Sequence, residues 1–321
     1  MSTSVKRRRL LGRFISPIWM VLIAVVIIAA FISDRFLSPY NMVTVLQQGV
    51  VTGIVALGMT VVLIGGQFDL STGAIVMMAA VMALVIGPSD PASIALAIIL
   101  PLMSGAFIGA VNGLVVYKAR ANSIVATIGM QFFLFGAVLA GVSGQHVRTD
   151  NMAAGFSGLA NAKLFGIPLP VYLFVVLVVV LSVVMDRTVF GRHVYGIGGD
   201  EEASRRAGIR VVWTGTLTFV LSGMLAALSG IFIASLVGNV DPSAIGGYAF
   251  PALTAVVLGG TSLSGGMGRP SDTAAAILVI AVINNVMTIL NYQYPIQLLV
   301  QGVVLAGAVA FYSLRRVELA P

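Results

Sequence analysis

Cysteine is absent from the chain, which excludes disulfides, thiolate metal sites and a cysteine nucleophile and leaves the redox compartment open. Charge is scarce too. Asp, Glu, Lys and Arg make up 9% of the 321 residues, against 59% hydrophobic residues and a mean hydropathy of +1.05. A soluble globular domain carries about a quarter charged residues, so the composition is that of an all-α polytopic membrane protein. Histidine occurs twice. His146 and His193 fall in predicted loops on opposite sides of the membrane and cannot share a metal or a catalytic site. Neither a Ser/His/Asp constellation nor an HExxH motif is present, so no metal, cofactor or catalytic residue is expected.

What the chain does have is apolar runs of near-spanning length. The first, Phe14 to Ile32, follows Lys6, Arg7, Arg8, Arg9 and Arg13. It is read as an uncleaved span, because it is longer than a signal-peptide core and Asp34 and Arg35 follow without a small-x-small cleavage site. Further runs at about 42–66, 73–88, 93–115, 123–143, 167–185, 211–237, 250–261, 273–290 and 295–313 bring the expected total to about ten. Two of them, 73–88 and 250–261, are short and border glycine-rich turns, as broken or tilted helices beside a transport path do.

An inside start with ten spans places 6–13, 67–72, 116–122, 186–210, 262–272 and 314–321 in the cytoplasm. These segments collect fifteen of the eighteen Lys and Arg, leaving Arg35, Arg148 and Lys163 outside. Orientation in a bilayer therefore explains the net charge of +7 better than nucleic-acid binding does. Both termini are expected inside. Residues 1–321 read as one transmembrane domain with a basic segment at 1–13 and no soluble module. The longest external loop, about 144–166, has room for a short helix or a docking surface. ALGMTVVLIGG at 56–66 and ALTAVVLGG at 252–260 echo one another, either through internal duplication or because glycine-terminated apolar helices resemble each other by composition.

Residues 186–210, DRTVFGRHVYGIGGDEEASRRAGIR, form the one long basic insertion between apolar runs. Within it Asp200, Glu201 and Glu202 open a stretch that Arg205 and Arg206 close before Gly208. Asp200 is placed to cap a helix, Glu201–Arg205 and Glu202–Arg206 have i,i+4 spacing, and Gly208 can take the left-handed conformation that ends it. A helix of about two turns is marginal in water. Either a soluble partner docking from the cytoplasm holds it, or the insertion is an ordinary solvated connection.

Polar residues inside the spans are the remaining candidates. Gly105, Gly109 and Gly113 have small-xxx-small spacing and read as helix packing. GGQFDLSTG at 65–73 converges Gln67, Asp69, Ser71 and Thr72 on a tight turn, where Asp69 either caps the third span or lines a pathway. The amides Gln47, Gln48, Asn112, Gln131, Asn284, Asn285, Gln297 and Gln301 are costly in lipid unless they face a partner helix or a wet cavity. Uncharged amides beside Phe132 and Phe133 suit a neutral, hydroxyl-rich ligand. The candidate substrate pathway is Gln67, Asp69, Ser71, Gln131, Phe132 and Asn285.

GRHVYGIGGDEEASRRAGIRV, GGQFDLSTGAIV and AVVLGGTSLSGGMG together resemble the permease subunits of ribose-type ABC importers, the sugar and autoinducer-2 group within the branched-chain permease family. Gly191, Arg192, Gly198, Ala203, Gly208 and Ile209 fit that family's pattern. Gly196 stands where alanine is usual, Asp200 where asparagine is, Ser204 and Arg206 depart as well, and GGQFDLS is longer than the commoner GGIDLS. The resemblance implies a type II importer fold similar to the cobalamin importer's membrane subunit. It also implies a second permease subunit, as homodimer or heterodimer, a cytoplasmic ATP-binding cassette ATPase and a periplasmic substrate-binding protein. The loop between spans six and seven would then contact the ATPase, through Gly191, Arg192, Gly198, Asp200, Glu201, Glu202, Ala203, Arg205, Arg206 and Gly208. LSGGM at 263–267 looks like a cassette signature, but no lysine sits in a GxxxxGK(S/T) phosphate loop, so the chain is not expected to hydrolyse ATP. The expectation is a non-enzymatic permease of the bacterial inner membrane passing a monosaccharide or similar polyol inward. The alternatives are an ion-coupled secondary transporter of a small neutral solute, which needs mid-span acids, and an intramembrane enzyme, which needs a nucleophile and base at one depth.

Overall fold

The computed structural model describes residues 16–149, 151–242, 246–293, 295–304 and 306–307. The expected basic segment 1–13 and the C-terminal segment 314–321 lie outside them. Among the described residues six helices are long and apolar enough to cross a membrane: α2 (Pro39–Ile64), α4 (Pro91–Tyr117), α5 (Ser123–Gly141), α7 (Leu169–Arg187), α10 (Val211–Val237) and α12 (Pro270–Ile289). Four apolar helices are shorter: α1 (Pro17–Ile32), α3 (Thr72–Ile86), α11 (Ala249–Leu258) and α13 (Pro295–Val304). Each falls on one of the apolar runs, and α10 matches its run to the residue.

Local chemistry sets the boundaries. Proline occupies the first turn of α1, α2, α4 and α12, where its missing N–H loses no helical bond. Asp90 closes a capping box with Ser93 at the start of α4, and Asn122 accepts from the amides of Ile124 and Val125 to cap α5. The two echoing stretches, 56–66 and 252–260, end their helices in the same turn. After α2, Gly66 N donates to Leu63 O and Gln67 N to Val62 O; after α11, Gly260 N donates to Val257 O and Thr261 N to Val256 O. Both are Schellman endings, with Gly66 at φ +80 and Gly260 at φ +85.

α10 is the axis of the bundle, packed on α4, α3 and α2. Glycine permits the close crossings. A Cβ at Gly113 would lie 2.6 Å from the Thr216 Cα, one at Gly109 would collide with the Phe219 carbonyl, and Gly105 and Gly223 face each other across the same seam. The small-xxx-small reading of α4 therefore holds. α5 and α7 are peripheral, presenting Phe132, Phe133, Val175, Val179 and Val183 outward.

The connections sort into two ends. At one end the turn after α2, the α4–α5 link and the 262–268 turn meet, and Ser16 Oγ donates to Asp272 Oδ1 at 2.8 Å. At the other end Ala153 N donates to Pro88 O, and β1 (Val147–Arg148) pairs antiparallel with β4 (Asn239–Val240) in register Val147 to Val240. That end also carries α6 (Ala154–Asn161) and the hairpin of β2 (Lys163–Leu164) with β3 (Ile167–Pro168). The grouping matches the alternation drawn from the charges, with Lys118, Arg120, Arg187, Arg192, Arg205, Arg206, Arg210 and Arg269 all belonging to the first, basic end.

One expectation is corrected here. Residues 186–210 are not a loop holding a single short helix. α7 runs on through Arg187, and VFGRHVYGIGG forms a helix of its own, α8 (Val189–Gly199), before α9 (Glu201–Arg206). Its glycines weaken helix propensity, but Thr188 caps it by accepting from Gly191 N at 3.2 Å, and Val194 and Ile197 are buried.

Candidate functional site

α9 is built from its charges. Asp200 Oδ1 accepts from Ala203 N at 2.8 Å, Arg205 pairs with Glu201 at 2.8 Å and Arg206 with Glu202 at 3.3 Å. The end is a Schellman turn, Gly208 N to Arg205 O and Ile209 N to Ser204 O, with Gly208 at φ +85. Acids sit at the positive end of the helix dipole and bases at the negative end. Glu202, Ala203 and Arg206 face solvent, while Ser204 is buried. Below Ser204 lies Gly196 of α8, where a Cβ would come within 3.3 Å of the Ser204 hydroxyl. Gly196 and Ser204, two of the positions that depart from the permease pattern, are thus contact partners.

α8 joins α9 to the bundle. Gly191 lies against the Met185 backbone, and Gly198 lies so close to the Ile64 carbonyl that a Cβ would collide with it and stand 2.6 Å from Gly266 N. Gly266 N donates to Ile64 O at 2.8 Å, and a Cβ on Gly265 would lie 2.6 Å from the Gly66 Cα. The end of α2, the end of α8 and the 262–268 turn therefore meet backbone to backbone. The Tyr195 hydroxyl donates to Gly268 O at 2.7 Å, and burial, reinforced by the Asp186 carboxylate, pushes its pKa up to about 12, so it stays a neutral donor at physiological pH. Arg192 is exposed on the outer side of α8.

The turn between α2 and α3 holds a buried polar network. Asp69 is fully buried; its Oδ1 accepts from Ser71 N at 3.2 Å and Ser71 Oγ at 2.6 Å, and its Oδ2 accepts from Ser222 Oγ of α10 at 2.8 Å. Asn112 of α4 donates to Ser71 Oγ at 2.9 Å. Phe68 N and Leu70 N donate to Ser123 Oγ and Thr127 Oγ1 of α5. Asp69 is therefore more than a cap. It ties the start of α3 to α10 and, through Ser71, to α4. Ser222 is a residue that sequence reasoning missed; it is one of six Ser and Thr in α10, and nothing in the sequence sets it apart from the others.

The remaining pathway candidates are not gathered in one place. Asn285 is buried on α12 and exchanges two hydrogen bonds with Asn41 of α2, at 2.8 and 2.9 Å. That is the interhelical use of an amide. Gln301 likewise donates to Asn284 at 3.1 Å. Gln131 is half-buried on α5, and the neighbouring Phe132 is 71% exposed on its outer face. Gln67 is half-buried beside Gly66. Among the described residues no group of three His, Asp or Glu is placed to hold a metal.

A bundle of apolar helices seamed by glycine, with two polar helices laid across its basic end, is that of a multi-pass membrane permease. The chain belongs to the family described as the branched-chain amino acid transport system / permease component, whose model matches residues 41–309. It is similar to the ribose import permease protein of Bacillus subtilis (strain 168), 36% identical over 290 residues, covering 90% of this chain and 89% of that one. The ribose import permease protein of Escherichia coli (strain K12) is 34% identical over 307 residues, 92% of this chain and 95% of its own. The L-arabinose transport system permease protein of the same strain is 35% identical over 294 residues, 91% and 88%. No solved structure matches the chain.

Proposed function

We propose that the chain is the membrane-spanning permease subunit of an ABC importer that passes a monosaccharide or similar polyol inward across the bacterial inner membrane. The observation that carries this reading is its near full-length similarity to permeases named for ribose and L-arabinose. In this reading residues 1–321 are one permease domain of ten spans with both termini cytoplasmic, the six long helices and four short apolar ones serving as those spans. A separate ATP-binding cassette ATPase supplies the work, a periplasmic binding protein delivers the sugar, and a second permease subunit completes the path.

The ATPase docks on the outer face of α9, through Glu202, Ala203 and Arg206, with Arg192 beside them. Glu201, Arg205, Asp200 and Gly208 hold that helix in shape, and Gly191 and Gly198 seat α8 so that a push on α9 reaches the ends of α2 and the 262–268 turn. Gln67 and Gln131 line the sugar's path; Asp69, Ser71 and Asn285 hold its walls in register, and Phe132 faces lipid or the second subunit. That the buried Asp69 carboxylate is already bonded to Ser71 and Ser222 weighs against its serving as a coupling-ion ligand. The test is uptake of labelled ribose and L-arabinose by cells lacking their own pentose importers. Uptake should require co-expression of an ATP-binding cassette ATPase and a periplasmic binding protein. Accumulation of either sugar by liposomes holding this chain alone under an ion gradient would reverse the proposal in favour of a secondary transporter.

A further inference from the structure

Between α4 and α10, at the basic end of the bundle, lies a groove of about 590 Å³. Its walls are apolar, formed by Ala110 and Leu114 of α4 with Val212, Leu217 and Val220 of α10, while Arg205 and Arg210 stand at one end. Trp213 also lines it and is 64% exposed. From Arg210 to Val220 the helix rises on the order of 15 Å at about 1.5 Å per residue, which is the depth of one leaflet of a hydrocarbon core roughly 30 Å thick. The groove is the length of an acyl chain.

The charges at its mouth select the headgroup. Arg205 is already paired with Glu201, whereas the exposed Arg210 guanidinium has no side-chain partner among the described residues. α10 begins there with no side-chain cap and no acidic residue in its first turn, so the positive end of its dipole adds to the same spot. Trp213, one turn further on, sits where an amphipathic ring marks the boundary between headgroups and chains. We infer that the groove is a binding site for an anionic phospholipid, with the headgroup charge at Arg210 and one acyl chain along Leu114, Leu217 and Val220. A zwitterionic lipid fills the same apolar walls but gains little from the uncompensated cation. Because Arg205 belongs to α9 and Ile209 to the link between α9 and α10, a bound lipid also steadies the segment joining the polar helices to the bundle axis. The inference does not depend on which solute is carried.

The chain has two tryptophans, so Trp19→Phe leaves Trp213 as the sole reporter. The full-length protein is reconstituted in vesicles of phosphatidylcholine and phosphatidylglycerol, with bromine on the chains of one lipid or the other, and Trp213 quenching gives their relative affinities at the groove. A basic residue near a membrane surface is worth about 1 kcal/mol toward an anionic lipid, a factor of roughly five. A preference of that size for phosphatidylglycerol is expected, falling toward one in Arg210→Gln and returning in Arg210→Lys. Raising salt to about 1 M, where the screening length is about 3 Å, should erase it in the unsubstituted protein, so the result does not hang on recovery of one variant. Equal quenching by both lipids, or a preference untouched by Arg210→Gln and by salt, overturns the assignment. Absence of quenching by either lipid would mean that protein, such as a second copy, covers the groove, and overturns it as well.

Discussion

Replacing Gly198 by alanine adds one methyl group where three backbones meet. The new Cβ collides with the Ile64 carbonyl and lies 2.6 Å from Gly266 N and 2.9 Å from the Ile64 carbonyl carbon. None of these atoms is the end of a flexible side chain, so either α8 lifts or the 262–268 turn retreats. Inserting a methylene or methyl into a closed site costs about 1–3 kcal/mol. Either movement also strains the Gly266 N to Ile64 O bond, 2.8 Å in the native chain, worth about 0.5–1.5 kcal/mol. The combined loss is about 2–4 kcal/mol, which in a chain of this length lowers the apparent melting temperature in detergent by on the order of 5 °C. Gly199 is the control, since a Cβ there meets nothing within 4 Å. Gly199→Ala should leave melting and uptake as they were. Gly198→Ala should insert normally, melt early and transport poorly, because α8 no longer bears on the end of α2. Equal melting and equal uptake for the two variants would refute the three-way contact and the coupling route drawn through it.

Reversing Arg205 and Arg206 to Glu should abolish co-purification with the ATPase while leaving membrane insertion intact; each lost pair is worth only about 0.2–0.5 kcal/mol, so complete loss must arise at the interface. Ala203→Trp keeps every charge and should uncouple by bulk alone, and normal binding by both variants would move the coupling surface elsewhere. Asp69→Leu removes the acceptor of the buried Ser71 and Ser222 hydroxyl protons, and at about 1–3 kcal/mol for each buried donor left unpaired it should cut membrane abundance severely; normal abundance with lost uptake would instead make Asp69 a pathway residue. Asn285→Leu should lower abundance and uptake together, and Asn41→Leu likewise. The double variant should be less damaging than the sum of the two, with a coupling of about 0.6 kcal/mol as is typical for such bonds; strict additivity would argue against the pair.

Features written in local order were legible in the sequence. Asp200, the two i,i+4 ion pairs and Gly208 are encoded within nine residues, and the observed helix follows them. The apolar runs located the ten apolar helices of the described residues, and the charges sorted the connections into the two ends that the fold brings together. What stayed hidden depends on distant partners. α8 reads as a loop because its glycines lower helix propensity, and the reason for one of them, Gly198, is the backbone of Ile64 and Gly266, far away in the chain. Asp69 looks like a cap until Ser222, 153 residues on, is seen to complete it. Asn285 looks like a pathway amide until Asn41, 244 residues away, takes both its bonds. Hydrophobic periodicity and charge pattern carry no information about such pairs.

The Gly196–Ser204 contact bears on how importers of this kind can be recombined. A graft of α9 alone from a permease with alanine at the position of Ser204 would leave a gap over Gly196. Moving α9 of this chain onto a helix with alanine at the position of Gly196 would press a methyl group against the Ser204 hydroxyl. Chimeras that exchange residues 189–209 as a block carry both halves of the fit, so the block, rather than α9 by itself, is the part to transfer when the proposed ATPase contact is to be exchanged between permeases.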